Sequence, residues 1–313
     1  MWARPAAPAT RPIACPTTEV RRALTGLLLA GAVVVIGGAV ATRPSPLPDD
    51  ALAGLTPDPA HGAVVYAAMG CASCHAVEDG APDVLAGGKA FASDFGTFFA
   101  PNISMDADAG IGGWTDVQIA SAVTRGVSAD GAHLYPAFPY AAYHHADLQD
   151  VADLIAHLRT LPADPTPSRP HDIGFPFNIR ATLGVWKALY LRDGWVMTEA
   201  ATPEVERGRY LVEALGHCGE CHTPRDALGG LETGVWLSGA PNPSGEGRIP
   251  NITPGGLSWS AGEIAEYLSS GFTPDFDTAG GSMAEVVANT AQLPDSDRAA
   301  IAAYIKAVPA VAD

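Results

Sequence analysis

The chain has 313 residues, 47% of them apolar and 17% charged, which suits about two globular domains and excludes a disordered protein. Residues 1 to 43 carry five arginines (Arg4, Arg11, Arg21, Arg22, Arg43) against Glu19, and the remainder carries 13 basic and 33 acidic residues, a net near −20. That remainder excludes nucleic acid as a partner and leaves a solvated acidic surface, able at most to steer a basic protein.

Residues 1–22 read as a cytoplasmic tail, with Cys15 an inert thiol because it lies before the apolar run rather than behind it. From Ala23 to Ala41 no residue is charged, and a run of about 19 residues is near the length needed to cross hydrocarbon as a helix. Arg21 and Arg22 precede it and acidic residues follow, so the positive-inside rule keeps the N-terminus cytoplasmic and exports everything after Arg43. The expectation is a transmembrane anchor over 23–41 in the inner membrane, with the later domains facing the periplasm. A cleaved signal peptide ending at Ala39-Val40-Ala41 is the alternative. Residues 42–57, with Pro44, Pro46 and Pro48, form an extended tether.

A first module spans 58–162. Asp58-Pro59 opens a helix, a capping residue followed by proline at the first helical position, and Gly70 closes it. Next comes Cys71-Ala72-Ser73-Cys74-His75. Two thiols separated by two residues and followed at once by an imidazole are what a c-type haem attachment requires. Each thiol adds to one porphyrin vinyl group, and His75 becomes the proximal iron ligand. A zinc site, a redox dithiol and a disulfide framework also use Cys-x-x-Cys, but none requires the adjoining histidine. A second helix starts at Thr115 with Gln118 three residues on, a capping-box pattern, and ends at Gly126. A third covers about 147–159, with Leu148, Val151, Leu154, Ile155 and Leu158 at helical spacing.

Residues 163–202 form a linker whose apolar middle, Leu183 to Tyr190, reads as a short helix packed on one or both modules. Residues 203–313 then repeat the first module. Thr202-Pro203 opens a helix that ends at Gly216, Cys218-Gly219-Glu220-Cys221-His222 repeats the haem motif, Ser260 with Glu263 repeats the capping box, Gly271 closes the second helix, and the last runs over about 295–306. Cys71 and Cys218 lie 147 residues apart, Asn102 and Asn251 149, Trp114 and Trp259 145. Landmarks that keep order and spacing indicate internal duplication. No stretch shows the alternation of a sheet, and the long loops are reasonable only if a haem fills each centre.

With Pro-Asn-Ile-Ser/Thr, Gly-Trp, Leu-Tyr-Pro-Ala-Phe-Pro-Tyr and Cys-His-Thr-Pro-Arg-Asp beside the two haem motifs, residues 58–313 resemble the membrane-bound multihaem c-type cytochromes that serve periplasmic alcohol, gluconate and sugar dehydrogenases. Those subunits typically carry three haem motifs, and this chain has two. The resemblance implies an all-α protein of two tandem class I cytochrome c domains after one N-terminal transmembrane helix, two covalent haems c, and electron transfer rather than catalysis. The expected partners are a periplasmic dehydrogenase or quinol as donor and a cytochrome or terminal oxidase as acceptor. A dihaem peroxidase is the rival reading.

In such folds a methionine before the last helix gives the iron its sixth ligand, and in module 2 Met283 occupies that position. The 145-residue offset makes Phe138 its counterpart in module 1, and phenylalanine cannot bind iron. His144 or His145 is the candidate sixth ligand there, with His133, Tyr135, Tyr140 and Tyr143 in reserve; Met69 and Met105 are badly placed. A second imidazole would lower the potential of the first haem relative to a His/Met haem in module 2 and send electrons from the first to the second. Arg225 is expected to offset haem propionate charge or to pair with Asp226. Asn102 and Asn251 are read as polar haem contacts or turn residues, and Gly62 and Gly208 as the points where the last helix approaches the first.

Overall fold

The computed structural model describes residues 18–77, 80–243 and 247–312; Cys15 lies outside them. The chain divides into two compact units, Met1–Arg43 and Pro44–Asp313. In the first, helix α1 (Thr18–Ala41) covers the apolar run. Among the described residues no helix is long and apolar enough to cross a membrane. The segment 23–41 expected to be a transmembrane anchor is therefore helical but is not shown to be a span.

The second unit builds one pattern twice. The first module contains α2 (Pro59–Ala68), α3 (Cys71–His75), α4 (Asp116–Arg125), α5 (Tyr140–Tyr143) and α6 (Leu148–Leu158). Helix α7 (Leu183–Tyr190) lies in the linker. The second module contains α8 (Pro203–Arg209), α9 (Gly219–His222), α10 (Ala261–Ser270), α11 (Ser282–Thr290) and α12 (Asp295–Ala307).

The expected helix ends are formed by the side chains that predict them. Asp58 accepts from the amides of Ala60 and His61, and Thr202 from that of Val205. Thr115 with Gln118 and Ser260 with Glu263 each close a reciprocal capping box, which satisfies amides that would otherwise lack partners. Gly126 and Gly271 end α4 and α10 with φ of 58° and 77°, a backbone region that glycine enters without a Cβ clash.

Each module is held by its first and last helices, α2 on α6 and α8 on α12. A Cβ on Gly62 would lie 1.9 Å from the Asp153 carbonyl oxygen, and one on Gly208 would lie 2.0 Å from that of Ala300. The two modules differ here by one residue: Cys71 follows Gly62 by nine positions and Cys218 follows Gly208 by ten. The π-helical segment Tyr210–Leu215 continues α8 and absorbs the additional residue, which is how such a bulge accommodates an insertion. The core is continuous through both modules, from Val65, Leu154 and Ile155 to Leu211, Ile301 and Tyr304.

The all-α expectation needs correcting. Strands β1 (Ala90–Ser93), β2 (Gly96–Phe99) and β3 (Asp172–Ile173) form an antiparallel sheet in that order, and β4 (Ala240–Pro241) pairs with β5 (Arg248–Ile249). None exceeds four residues, too short for an alternating pattern to register. The third strand comes from the linker, which straps the two modules together. Arg180 donates to the His133 carbonyl, Lys187 donates to the carbonyls of Arg125 and Gly126 at the end of α4, Trp186 Nε1 donates to the Leu228 carbonyl, and Tyr190 donates to Asp226 at 2.6 Å. Burial pushes the Lys187 ammonium down to about 8.

Replacing Gly62 or Gly208 by alanine forces the first and last helices apart, and no flexible side chain at either position can yield to the new methyl group. Each substitution is expected to lower the free energy of unfolding by about 2–3 kcal/mol in denaturant titrations, against the gain of about 1 kcal/mol that alanine gives in an open helix.

Candidate functional site

The two Cys-x-x-Cys-His stretches form single helical turns. In α3 and at α9 the thiols stand three residues apart and the histidine four after the first cysteine, so all three share one side. Gly70, with φ of 63°, makes the sharp step from α2 into the first motif.

Both motif histidines are held alike. Nδ1 of His75 lies 2.9 Å from the Pro101 carbonyl oxygen, and Nδ1 of His222 lies 2.9 Å from that of Pro250. A carbonyl can only accept, so Nδ1 carries the proton and Nε2 keeps its lone pair, the arrangement that orients an imidazole for a metal. Burial lowers both histidines below their ordinary value of 6.5 and keeps them neutral. Burial also pushes the Cys71 and Cys218 thiols up to about 12. Such raised values are the opposite of the depressed ones of a redox dithiol. The residues present thus fit a haem c at each motif.

The Pro-Asn loops that carry those carbonyls are fastened by their asparagines. Asn102 Nδ2 donates to the carbonyls of Asp164 and Thr166 while its Oδ1 accepts from the Ser104 amide. Asn251 donates to the Val311 carbonyl and accepts from the Thr253 amide. Of the two readings offered for these residues, turn and loop fastening is the one the structure shows.

Arg225 lies against the motif itself, with its guanidinium on the Glu220 carboxylate and on the carbonyls of Glu220 and Gly229. Asp226, one of the two partners expected beside a haem propionate, takes the Tyr190 hydroxyl instead. Met283 stands at the start of α11, partly buried against the common core, as does Phe138 in module 1. His144 faces acceptors with both ring nitrogens: Nδ1 is 3.1 Å from the Thr124 carbonyl oxygen and Nε2 2.9 Å from Asp193. His145 stacks on Trp195 at 4.7 Å and lines a cavity with His217, Glu220 and Trp236, beside the second motif rather than the first. Among the reserves, the Tyr135 hydroxyl donates to the Phe177 carbonyl and that of Tyr143 to the Met69 carbonyl. Met105 is engaged through sulfur by Arg159, and Met69 is buried.

What the spacing did not reveal is that the two motifs meet. The Met69 carbonyl, two residues before Cys71, accepts from the Tyr143 hydroxyl at 2.8 Å and from His217 Nε2 at 3.3 Å. His217 immediately precedes Cys218, and its ring lies 5.6 Å from that of Tyr143. Inside the first motif, Ser73 is bound by Asn289 of α11 at 2.7 Å and by Lys89, which pairs with Glu285 of α11 at 2.6 Å. One sequence signal pointed here. The 147-residue offset aligns His217 with Gly70, and both have positive φ, so a histidine occupies a position made for glycine.

A family model for cytochrome c matches residues 59–162 and 205–309. The chain belongs to the cytochrome c family. It is 55% identical over 298 residues to a diheme cytochrome c-type protein of Cereibacter sphaeroides, covering 93% of this chain and 100% of that one. It is 40% identical to the fructose dehydrogenase cytochrome subunit of Gluconobacter japonicus, covering 92% of this chain and 59% of the relative. To the gluconate 2-dehydrogenase cytochrome c subunit of Pantoea cypripedii it is 35% identical, covering 77% and 57%. The chain is a dihaem cytochrome c with two covalently attached haems, and its function is electron transfer. These relatives give the peroxidase reading no support.

Four histidines outside the haem motifs, at 145, 157, 171 and 217, are lowered by burial. As pH falls through 6.5 the unfolded chain protonates first, so protonation favours unfolding. The unfolding midpoint is expected to fall steadily from pH 7 to pH 5, and a flat profile would contradict the burial of these rings.

Proposed function

We propose that Cys71 and Cys74 with His75, and Cys218 and Cys221 with His222, hold the two haems, and that the protein relays electrons from module 1 to module 2 without substrate chemistry of its own. The observation that carries this reading is the contact of the two motifs across Met69, Tyr143 and His217. Each haem, when bound, supplies a one-electron couple. The protein holds both imidazoles neutral and oriented, buries the sulfurs, and fixes the distance between the two centres through a packed junction. Met283 offers module 2 a thioether, which raises a potential, whereas Phe138 offers module 1 none. Electrons therefore run from module 1 toward module 2.

The names of two relatives, cytochrome subunits of fructose and gluconate dehydrogenases, support a dehydrogenase as donor; with the modules in the periplasm that donor is periplasmic, quinol is a second donor, and another cytochrome or an oxidase is the acceptor. The uncharged run over 23–41, preceded by Arg21 and Arg22, supports α1 as an inner-membrane anchor that leaves both modules in the periplasm.

Spectroelectrochemical titration of the purified protein tests the ligand assignment. Met283→Leu is expected to lower one of the two midpoint potentials by on the order of 100 mV and to leave the other in place. His144→Ala, which removes a ring with both nitrogens engaged, is expected to change neither. Loss of a ligand-field signature in His144→Ala would show that this histidine binds iron.

Haem attachment is checked by mass. The double variant Cys218→Ala/Cys221→Ala should retain one haem per chain, and retention of two would rule out these sulfurs.

A further inference from the structure

We propose that the turn between α10 and α11 is the docking point for a redox partner that presents an apolar socket ringed by lysine or arginine; this rests on the electron-transfer reading above. Both modules build the same turn. In module 1, Val127 bridges to His133, and the amides of Ser128, Gly131 and Leu134 donate to the carbonyls of Ala132, Ser128 and Gly126. In module 2, Phe272 bridges to Thr278, and the amides of Thr273, Phe276 and Ala279 donate to the carbonyls of Asp277, Thr273 and Gly271, each 145 residues on.

The backbones agree and the side chains do not. Val127 is 1% exposed, whereas its counterpart Phe272 is 54% exposed. Gly131 has φ of 80°, and its counterpart Phe276 has φ of 63°. A bulky side chain in this left-handed region is disfavoured, and leaving it in water forgoes the benefit of burial. Three non-glycine residues among those described have positive φ: His217, Leu237 and Phe276. His217 packs into the junction between the motifs, and Leu237 is fully buried. Phe276 alone of the three leaves its ring in solvent, 88% exposed. Module 2 thus keeps an unfavourable residue where module 1 shows that glycine suffices, and no packing within the described residues accounts for it.

The charge around the two rings indicates what covers them. Phe272 and Phe276 line an open depression with Glu263 and Glu266, and Asp275 and Asp277 flank Phe276 in the chain. No basic residue lines it. Aromatic anchors inside an acidic rim select a partner with the opposite rim. From Phe276 the chain runs through Gly280 and Gly281 to Met283, so the anchor lies seven residues before the proposed thioether ligand.

The test uses the full-length protein with both haems in its native form, as Phe276→Gly and as Phe272→Val/Phe276→Gly, the last two restoring the residues of module 1. Each is reduced and mixed in a stopped-flow instrument with a basic, lysine-ringed ferric cytochrome c as probe, and separately with a small inorganic oxidant. The variants should keep haem content, both potentials and the rate with the small oxidant. Phe276→Gly should unfold at the same or a higher temperature, and the rate with the basic cytochrome should fall about tenfold in the double variant. An unchanged rate in the double variant would overturn the proposal. So would a loss confined to binding of anionic phospholipid vesicles, or to self-association in sedimentation, because the occupant would then be a membrane or a second copy. If the native protein reduces the small oxidant but not the basic cytochrome, the docking proposal fails and the electron-transfer reading stands; if it reduces neither, that reading fails as well.

Discussion

The structure depends on the close approach of the first and last helix of each module at a glycine. Gly62 against the Asp153 carbonyl and Gly208 against that of Ala300 leave no room for a side chain. This contact closes a small helical shell whose long loops have few regular partners of their own. The Pro-Asn loop hangs on that shell and presents one carbonyl to the motif histidine. The same geometry appears at Pro101 and Pro250, 149 residues apart, so the helix contact and the imidazole are parts of one duplicated unit. Where the second copy carries one more residue before its motif, a π-helical segment takes up the difference and leaves the glycine contact in place.

Duplication alone would give two independent carriers. The linker and the junction between motifs make them one. Lys187 and Arg180 fasten the linker to module 1, and Trp186 and Tyr190 fasten it to module 2. Tyr143 then fills the space between the motifs, with its hydroxyl on Met69 and its ring beside His217. Besides the inserted residue, the second copy departs from the first at particular substitutions. His217 replaces a glycine and serves the junction, Met283 stands where Phe138 stands in the first copy, and Phe276 replaces a glycine and faces outward.

Much of this was legible in the sequence, for reasons that differ by residue. The capping boxes at Thr115 and Ser260 and the terminal glycines at 126 and 271 act over three or four positions, so local sequence determines them. The haem motifs are equally local, and the offset between copies identified Phe138. The strands were not legible because β3 owes its pairing to a segment more than seventy residues from β2. Nor was the fate of His144, whose ring nitrogens are engaged by Thr124 and Asp193, 20 and 49 residues away. Arg225 found Glu220 rather than Asp226 because the α9 turn brings Glu220 back toward it while Tyr190 of the linker occupies Asp226. In each case a distant chain segment decided between partners that looked equivalent in sequence.

The central claim is that the two motifs form one electron-transfer unit within a single chain. Its most direct test is flash photoreduction of the fully oxidised, full-length protein with less than one electron per molecule, following both haem absorption bands over time. The account predicts that the electron redistributes between the two haems in a first-order phase whose rate is independent of protein concentration. A redistribution rate proportional to protein concentration would mean that electrons pass only between molecules, and would contradict it.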